Sequence, residues 1–445
     1  MIARVAVVFL VAGLVTGSAA ARVPGLHDAH PCPGVVGYTC SVLDVPLDHS
    51  GRRGGTLHLQ VGAADNKRAP RGVLPVLAGG PGQPGVPILD RFVRAALLAE
   101  LDDYRVVVFD QRGTGAGALR CNALQDAMGS SDLTPPPAAA VRACAAKLGS
   151  RRQFYGTDDV VADMESLRVA LGVDKWTIDG ISYGTYVGER YALAHPQQVR
   201  KLVLDSVVPQ VGLTDLGVAE FKATARVLRS VCGQACVADL AVVVNRLHDG
   251  PRLFDALTFL SIADPTYTSF FDVPKLLRAA RAGSTAQLET FLQVARDSQT
   301  ALATQLDQGL HASALCADWR YPWGDSSAPL AGRAAKLRAA VAKLRPDDLF
   351  PFDAATAMRN GFVQQCLPWS PTPPTVLPAR GAKLEVPTLL VNGDHDLSTP
   401  LEWARKELAL APKGRLVVVH GAGHSVQSRA ASAVGRQAVA QFLLR

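Results

Sequence analysis

Short runs of aliphatic and β-branched residues recur along the chain. Over most of its length they alternate with longer stretches whose apolar positions repeat at helical spacing. The strand-like runs are Thr56–Val61, Val73–Leu77, Arg105–Phe109, Lys175–Ile178, Lys201–Leu204, Pro387–Val391 and Arg415–Val419. The helix-like stretches between most of them are Leu89–Ala99, Asp159–Leu171, Thr185–Ala194, Leu401–Leu410 and Ala430–Leu444. Alternation of this kind predicts an α/β fold with a mostly parallel sheet flanked by helices on both faces. Ligands of such sheets bind beyond the carboxyl ends of the strands. The loops that follow strands are therefore the first places to look for chemistry.

The alternation stops between Pro209 and Gly381. Pro274–Ala282, Thr285–Leu306 and Leu330–Leu344 are rich in Ala, Leu, Arg and Gln and helical in character. Pro274 suits a first helical position, where its missing N–H costs nothing. Residues 209–381 are read as a large helical lid inserted between core strands, and the Pro371–Pro378 region as the return to the core. The expected organisation is a core of 22–208, the lid of 209–381 and a second core part of 382–445. A lid excludes water and shapes the pockets around a reacting group. Trp319, Tyr321, Trp323 and Trp369 are candidates for its wall, with core packing as the other reading.

The loops after the strands carry a pattern. Gly180-Ile181-Ser182-Tyr183-Gly184 is a G-x-S-x-G sequence with a strand before it and a helix after it, ending at Pro196. A serine on a strand-to-helix turn needs small neighbours and presents its hydroxyl at the positive end of a helix. The strand Pro387–Val391 is followed by Asn392-Gly393-Asp394-His395-Asp396, and the strand Arg415–Val419 by His420-Gly421-Ala422-Gly423-His424. Serine, carboxylate and histidine in that order match a nucleophile, its orienting acid and its base. Ser182, Asp396 and His424 are the chosen triad. Asp394 is read as shaping its turn, Asp205 as a third candidate acid, and His420 as structural. Two N–H donors for an oxyanion are expected from Tyr183, after the nucleophile, and from Gly80 in Ala78-Gly79-Gly80-Pro81-Gly82; Pro81 has no N–H to offer. Asp110 and Arg112 are read as a loop-stabilising ion pair, with contact to substrate as the other reading.

Gly79–Gly82, Asp110-Gln111-Arg112-Gly113-Thr114-Gly115, Gly180–Thr185, Thr157–Gly172, Gly393…Pro400 and Gly423-His424 together resemble the prolyl and tripeptidyl aminopeptidase branch of the α/β-hydrolases. The chain departs from the prolyl type at Ala78, where a histidine is usual. The resemblance implies a serine hydrolase that needs no cofactor and no metal. Its expected reaction releases one or a few residues from free peptide N-termini through an acyl-enzyme on Ser182. Such an enzyme needs an acid for the substrate ammonium, and Asp318, beside Trp319, is the lid candidate with Glu220, Asp264 and Asp272. A carboxylesterase or lipase using the same triad is the alternative.

Charge and cysteines narrow the setting. The net charge is +7, but the basic residues are scattered and build no stripe for nucleic acid. Arg4, the apolar Val5–Val15 and Ser18-Ala19-Ala20-Ala21 read as a signal peptide over residues 1–21, too short in its apolar part to span a bilayer. A secreted protein with no stable membrane insertion after signal removal is expected. The eight cysteines fit an oxidising compartment but allow 105 connectivities. Proximity favours Cys32–Cys40, Cys121–Cys144, Cys232–Cys236 and Cys316–Cys366. Nothing in the sequence sets an oligomeric state.

Overall fold

The computed structural model describes residues 24–97, 100–212, 215–264, 266–267 and 272–445. The expected signal peptide lies outside the described residues. Nine strands are present: β1 (Leu26–Pro31), β2 (Tyr38–Pro46), β3 (Thr56–Ala64), β4 (Val73–Leu77), β5 (Arg105–Phe109), β6 (Trp176–Ile181), β7 (Val199–Asp205), β8 (Thr388–Gly393) and β9 (Gly414–Val419). They form one sheet in the order β1-β2-β3-β5-β4-β6-β7-β8-β9. The first three run antiparallel, β3 meets β5 antiparallel, and the rest of the sheet is parallel.

Burial explains which strands the sequence announces. β4, β6 and β8 are buried at every position, as central parallel strands covered on both faces must be. They read as continuous apolar runs. β1 and β2 were not anticipated. β2 mixes buried residues with Thr39, Asp44 and Pro46, which face outward, and β1 is almost wholly exposed. An antiparallel edge with one wet face dilutes the apolar signal.

The helices Thr157–Ala170, Tyr183–Ala194, Leu401–Leu408 and Val434–Leu444 follow the expected pattern. The expected helix from Leu89 is shorter, a turn at Leu89–Arg91 widening into a π-type turn at Phe92–Ala96. The long helix expected from Thr285 ends at Ser298, and a new one, Gln308–Asp318, begins where Asp307 caps the N–H of Leu310 at 2.6 Å.

Between β7 and β8 the chain forms a helical assembly with a core of its own. Phe221, Phe254 and Phe352 meet there with ring centroids 4.9 to 5.2 Å apart. The cysteines pair as chain proximity suggested: Cys32–Cys40, Cys121–Cys144, Cys232–Cys236 and Cys316–Cys366.

Arg112 corrects the reading of the Asp110–Gly115 loop. Its partner is not Asp110 but Asp163, held by two bonds of 2.6 and 2.7 Å. The remaining guanidinium protons reach the carbonyls of Pro46, Leu47 and Phe154. Asp110 instead accepts the N–H of Val86, and burial pushes its carboxyl up to about 6. Neither Arg112 nor Asp163 is exposed at all. Arg112 thus ties three separate chain segments to the helix Thr157–Ala170. Removing one partner of such a pair strands the other charge in a dry interior. Arg112→Met is expected to lower the unfolding free energy by about 3–5 kcal/mol in urea denaturation. A loss below about 1 kcal/mol, the scale of an exposed pair, would show that the pair does not hold the loop.

Candidate active site

β6 ends in a forced turn. Ser182 has φ 56° and ψ −126°, a conformation that costs a residue with a side chain, and the helix Tyr183–Ala194 starts at the next residue. Several bonds hold the turn. The N–H of Ser182 donates to the carbonyl of Asp205 at 2.9 Å, and the Thr185 hydroxyl donates to the Ser182 carbonyl at 2.6 Å. The same hydroxyl accepts the N–H of Val208. The helix can sit this close to the sheet because Gly184 lacks a side chain: a Cβ there would stand 2.2 Å from the carbonyl oxygen of Leu77.

The glycine loop after β4 passes directly beside the serine. A Cβ on Gly79 would lie 3.0 Å from Ser182 Cβ and 3.4 Å from its Oγ. Gly80 lines the same cavity as Ser182. Tyr183 is the first residue of its helix, where N–H groups have no partner within the helix. Its hydroxyl is engaged elsewhere, 2.5 Å from Thr157 Oγ1.

Asp396 and His424 are brought together. His424 Nδ1 lies 2.9 Å from Asp396 Oδ2, and both residues are buried. Asp396 also accepts the N–H groups of Ser398 and Thr399 at 2.9 Å each and the Thr399 hydroxyl at 2.6 Å. With Nδ1 turned to the carboxylate, Nε2 is left for the side of Ser182, which lines the same cavity. The other two candidate acids stand apart from the ring. Asp394 accepts the N–H of Gly421 and lies 2.8 Å from the Nδ1 of His420, an imidazole that is 87% exposed.

Asp205 is fully buried and holds the histidine loop by its backbone, accepting the N–H groups of Val426 at 3.0 Å and Gln427 at 2.9 Å. Ser206 continues the clamp by accepting the N–H of Ser425 at 2.7 Å. Burial raises the Asp205 carboxyl, and these donors oppose the rise. Beneath it, burial with no counter-charge drives the Asp179 carboxyl well above the ordinary range, and the Asp205 and Glu100 charges push the same way.

Ser182 and His424 open onto a cavity of about 310 Å³. One wall is the helix Gly250–Ala263, which contributes Asp255, Thr258, Phe259 and Ile262. Those positions fall at i, i+3, i+4 and i+7, one face of a helix. Its C-terminal end is joined to the site, since Ser261 accepts the N–H of His424 on its carbonyl and the N–H of Leu397 on its hydroxyl. Asp255 lies two turns away, about 10 Å along the axis at 1.5 Å per residue.

The expected amine-binding pair is elsewhere. Asp318 is buried and accepts the N–H and hydroxyl of Thr157, and burial pushes its carboxyl up to about 7. Trp319 is buried against Phe362, with ring centroids 5.1 Å apart. Both hold helices together, and neither lines the cavity. The carboxylates that do line it are Asp132 and Asp255, from segments without any local motif. Asp255 is satisfied by Ser131, Thr134 and Gln299. Asp132 Oδ1 lies 2.9 Å from His311 Nε2, and its other oxygen has no protein partner among the described residues. Arg91 and Arg429 also line the cavity and were not singled out from the sequence.

Residues 74–227 match a family model described as alpha/beta hydrolase fold, and residues 350–445 one described as TAP-like protein. The chain has the α/β-hydrolase fold. The chain is 31% identical over 182 residues to a probable proline iminopeptidase of Streptomyces coelicolor, a match covering 40% of the chain and 47% of that protein. It is 29% identical over 188 residues to the tripeptidyl aminopeptidase of Streptomyces lividans, covering 38% and 35%. It is 29% identical over 188 residues to the serine protease Hip1 of Mycobacterium tuberculosis, covering 39% and 36%. The matched stretch spans less than half the length of each of these relatives.

The packing around Ser182 can be tested by stability alone. Gly184→Ala is expected to cost about 2–3 kcal/mol or to abolish folding, because the methyl group meets main-chain atoms of the adjacent strand. Gly117→Ala, at a position with open space around it, serves as the control. Equal urea midpoints for the two variants would refute the close approach.

Proposed function

We propose that this chain is a serine peptidase that removes a short fragment from the free N-terminus of a peptide. The observation that carries the reading is the Asp396–His424 pair opening onto the same cavity as Ser182 on its strained turn. In the proposed cycle His424 Nε2 takes the Ser182 proton as Oγ attacks the scissile carbonyl carbon. Asp396 fixes the tautomer of the ring and stabilises its charged form. The amides of Gly80 and Tyr183 bind the oxyanion of the tetrahedral intermediate. The imidazolium then protonates the leaving amine, and the C–N bond breaks to give an acyl-enzyme. A water, deprotonated by the same ring, releases the acyl fragment.

Asp132, with Asp255 behind it, replaces Asp318 as the proposed seat for the substrate ammonium. The separation of about 10 Å along the Gly250–Ala263 helix accommodates two or three extended residues at about 3.3–3.6 Å each. A released di- or tripeptide is therefore the favoured product, and the names of the tripeptidyl relatives support it. Export is part of this proposal. It rests on the leader-like N-terminus and the four disulfides. No helix among the described residues is long and apolar enough to cross a membrane.

Peptide amides with a free amine, the same amides acetylated at the amine, and short nitrophenyl esters separate the alternatives. Free-amine amides are expected to be cleaved at least about tenfold better than the acetylated ones, given a half-buried charge partner in Asp132. Ser182→Ala and His424→Ala are each expected to lose about 10³-fold or more in kcat, with fluorophosphonate labelling lost in the first. His420→Ala should change kcat little. Ester turnover with no amide cleavage would instead assign a carboxylesterase, and labelling of Ser182→Ala would remove Ser182 as the nucleophile.

A further inference from the structure

Two guanidinium groups lie in the cavity at the end opposite its carboxylates. Arg429 ends the short helix Val426–Arg429 that follows His424, and Arg91 sits in the turn that follows the glycine loop. Among the described residues neither has a carboxylate within ion-pairing distance. Arg429 donates one bond, 2.9 Å to the carbonyl of Ile262. That contact locates it. Ile262 is the residue after Ser261, whose carbonyl holds the His424 N–H, so the guanidinium and the His424 main chain are anchored one residue apart on the same helix.

Position decides which half of a substrate meets this charge. The ring of His424 must hand its proton to the leaving amine, so the departing fragment lies on the histidine side of Ser182. Arg429 is anchored at the Ile262 carbonyl, next to the Ser261 carbonyl that holds the His424 N–H, and lines the same cavity. Burial lowers its guanidinium to about 10, and the nearby Arg91 charge acts in the same direction. Arg429 is half-buried and Arg91 exposed, and two cations without a counter-ion at one cavity favour an anion there; a guanidinium fork matches a carboxylate.

We propose that Arg429, assisted by Arg91, binds the free C-terminal carboxylate of the departing fragment. The cavity then reads a short peptide at both ends, with the ammonium at Asp132 and the carboxylate at Arg429. One or two residues beyond the scissile bond carry the carboxylate about 3–7 Å farther along the cavity, at about 3.3–3.6 Å per extended residue. The preferred substrates are accordingly peptides of about three to five residues, one or two of them departing with two or three released. This inference rests on the proposed peptidase reaction and narrows its substrate class.

The test compares tetrapeptides with a free C-terminal carboxylate, the same peptides as C-terminal amides, and the free acids extended by six residues. Wild-type protein is expected to show kcat/KM about tenfold or more higher for the short acid than for its amide, through KM. The extended acid should fall to the level of the amide. Arg429→Gln should bring the acid-to-amide ratio near one, Arg429→Lys should retain part of it, and Arg429→Glu should reverse it. Equal wild-type turnover of acid and amide, both dependent on Ser182, would overturn the carboxylate site and leave the peptidase reading standing. An equal loss on both substrates in Arg429→Gln, with the ratio kept, would also overturn it. No Ser182-dependent cleavage of any peptide would remove the peptidase reading itself.

Discussion

The turn at Ser182 is the constraint on which the rest of the site depends. A side chain held at φ 56° survives only where its surroundings over-determine it. Here the N–H of Ser182 is tied to Asp205, its carbonyl to Thr185, and the helix behind it is pressed against β4 at Gly184. Strand order does the rest. β4 and β7 flank β6, and β8 lies beside β7. Neighbouring strands are about 4.8 Å apart, so the loops after these four strands arrive in one region without any long excursion. The glycine loop, the serine, Asp205 and Asp396 therefore converge because consecutive places in one parallel sheet converge. His424, from the loop after β9 at the edge, has the longest distance to cover.

That distance explains the investment in Asp205. The histidine loop carries Ser425 in a left-handed conformation, at φ 61°, with buried amides behind it. Buried N–H groups need acceptors. The Asp205 carboxylate takes two of them and the Ser206 hydroxyl a third, all from the end of the strand adjacent to the nucleophile. The hydrogen bonds of this carboxylate go to the loop's backbone amides and to the Ser206 hydroxyl. Asp205 fixes where the loop leaves the sheet, while Asp396 fixes how the ring is turned.

Much of this was legible in the sequence for a physical reason. Central parallel strands are apolar at every position, and the loops that follow them use small residues wherever chains pass at close range. Both leave local marks, as at Val73–Leu77 followed by Gly79 and Gly80, or at Trp176–Ile181 followed by Ser182. The exposed β1 and half-wet β2 leave no such marks. The cavity acids were invisible for another reason. Asp132 and Asp255 are 123 positions apart in a chain whose inserted helices fold around their own core, and no motif links them. Asp318 drew attention because it neighbours Cys316 and Trp319, yet those neighbours are what bury it. In a helix with every residue buried, an aspartate is satisfied by the protein itself.

The inserted helices are not an appendage hinged over a finished site. Ser261 supplies the acceptor for the His424 N–H and for that of Leu397, next to Asp396. Gly82 accepts the N–H of Asp307, which caps the helix Gln308–Asp318. Both halves of the candidate site, the Asp396–His424 side and the glycine-loop side, are thus hydrogen-bonded to the insertion. Swinging the Gly250–Ala263 helix outward would strip an acceptor from the residue that must hold its proton position most accurately. An unpaired buried N–H costs on the order of 1–3 kcal/mol, and there are two. The cavity wall formed by this helix is therefore held in place by the loops that carry Asp396 and His424.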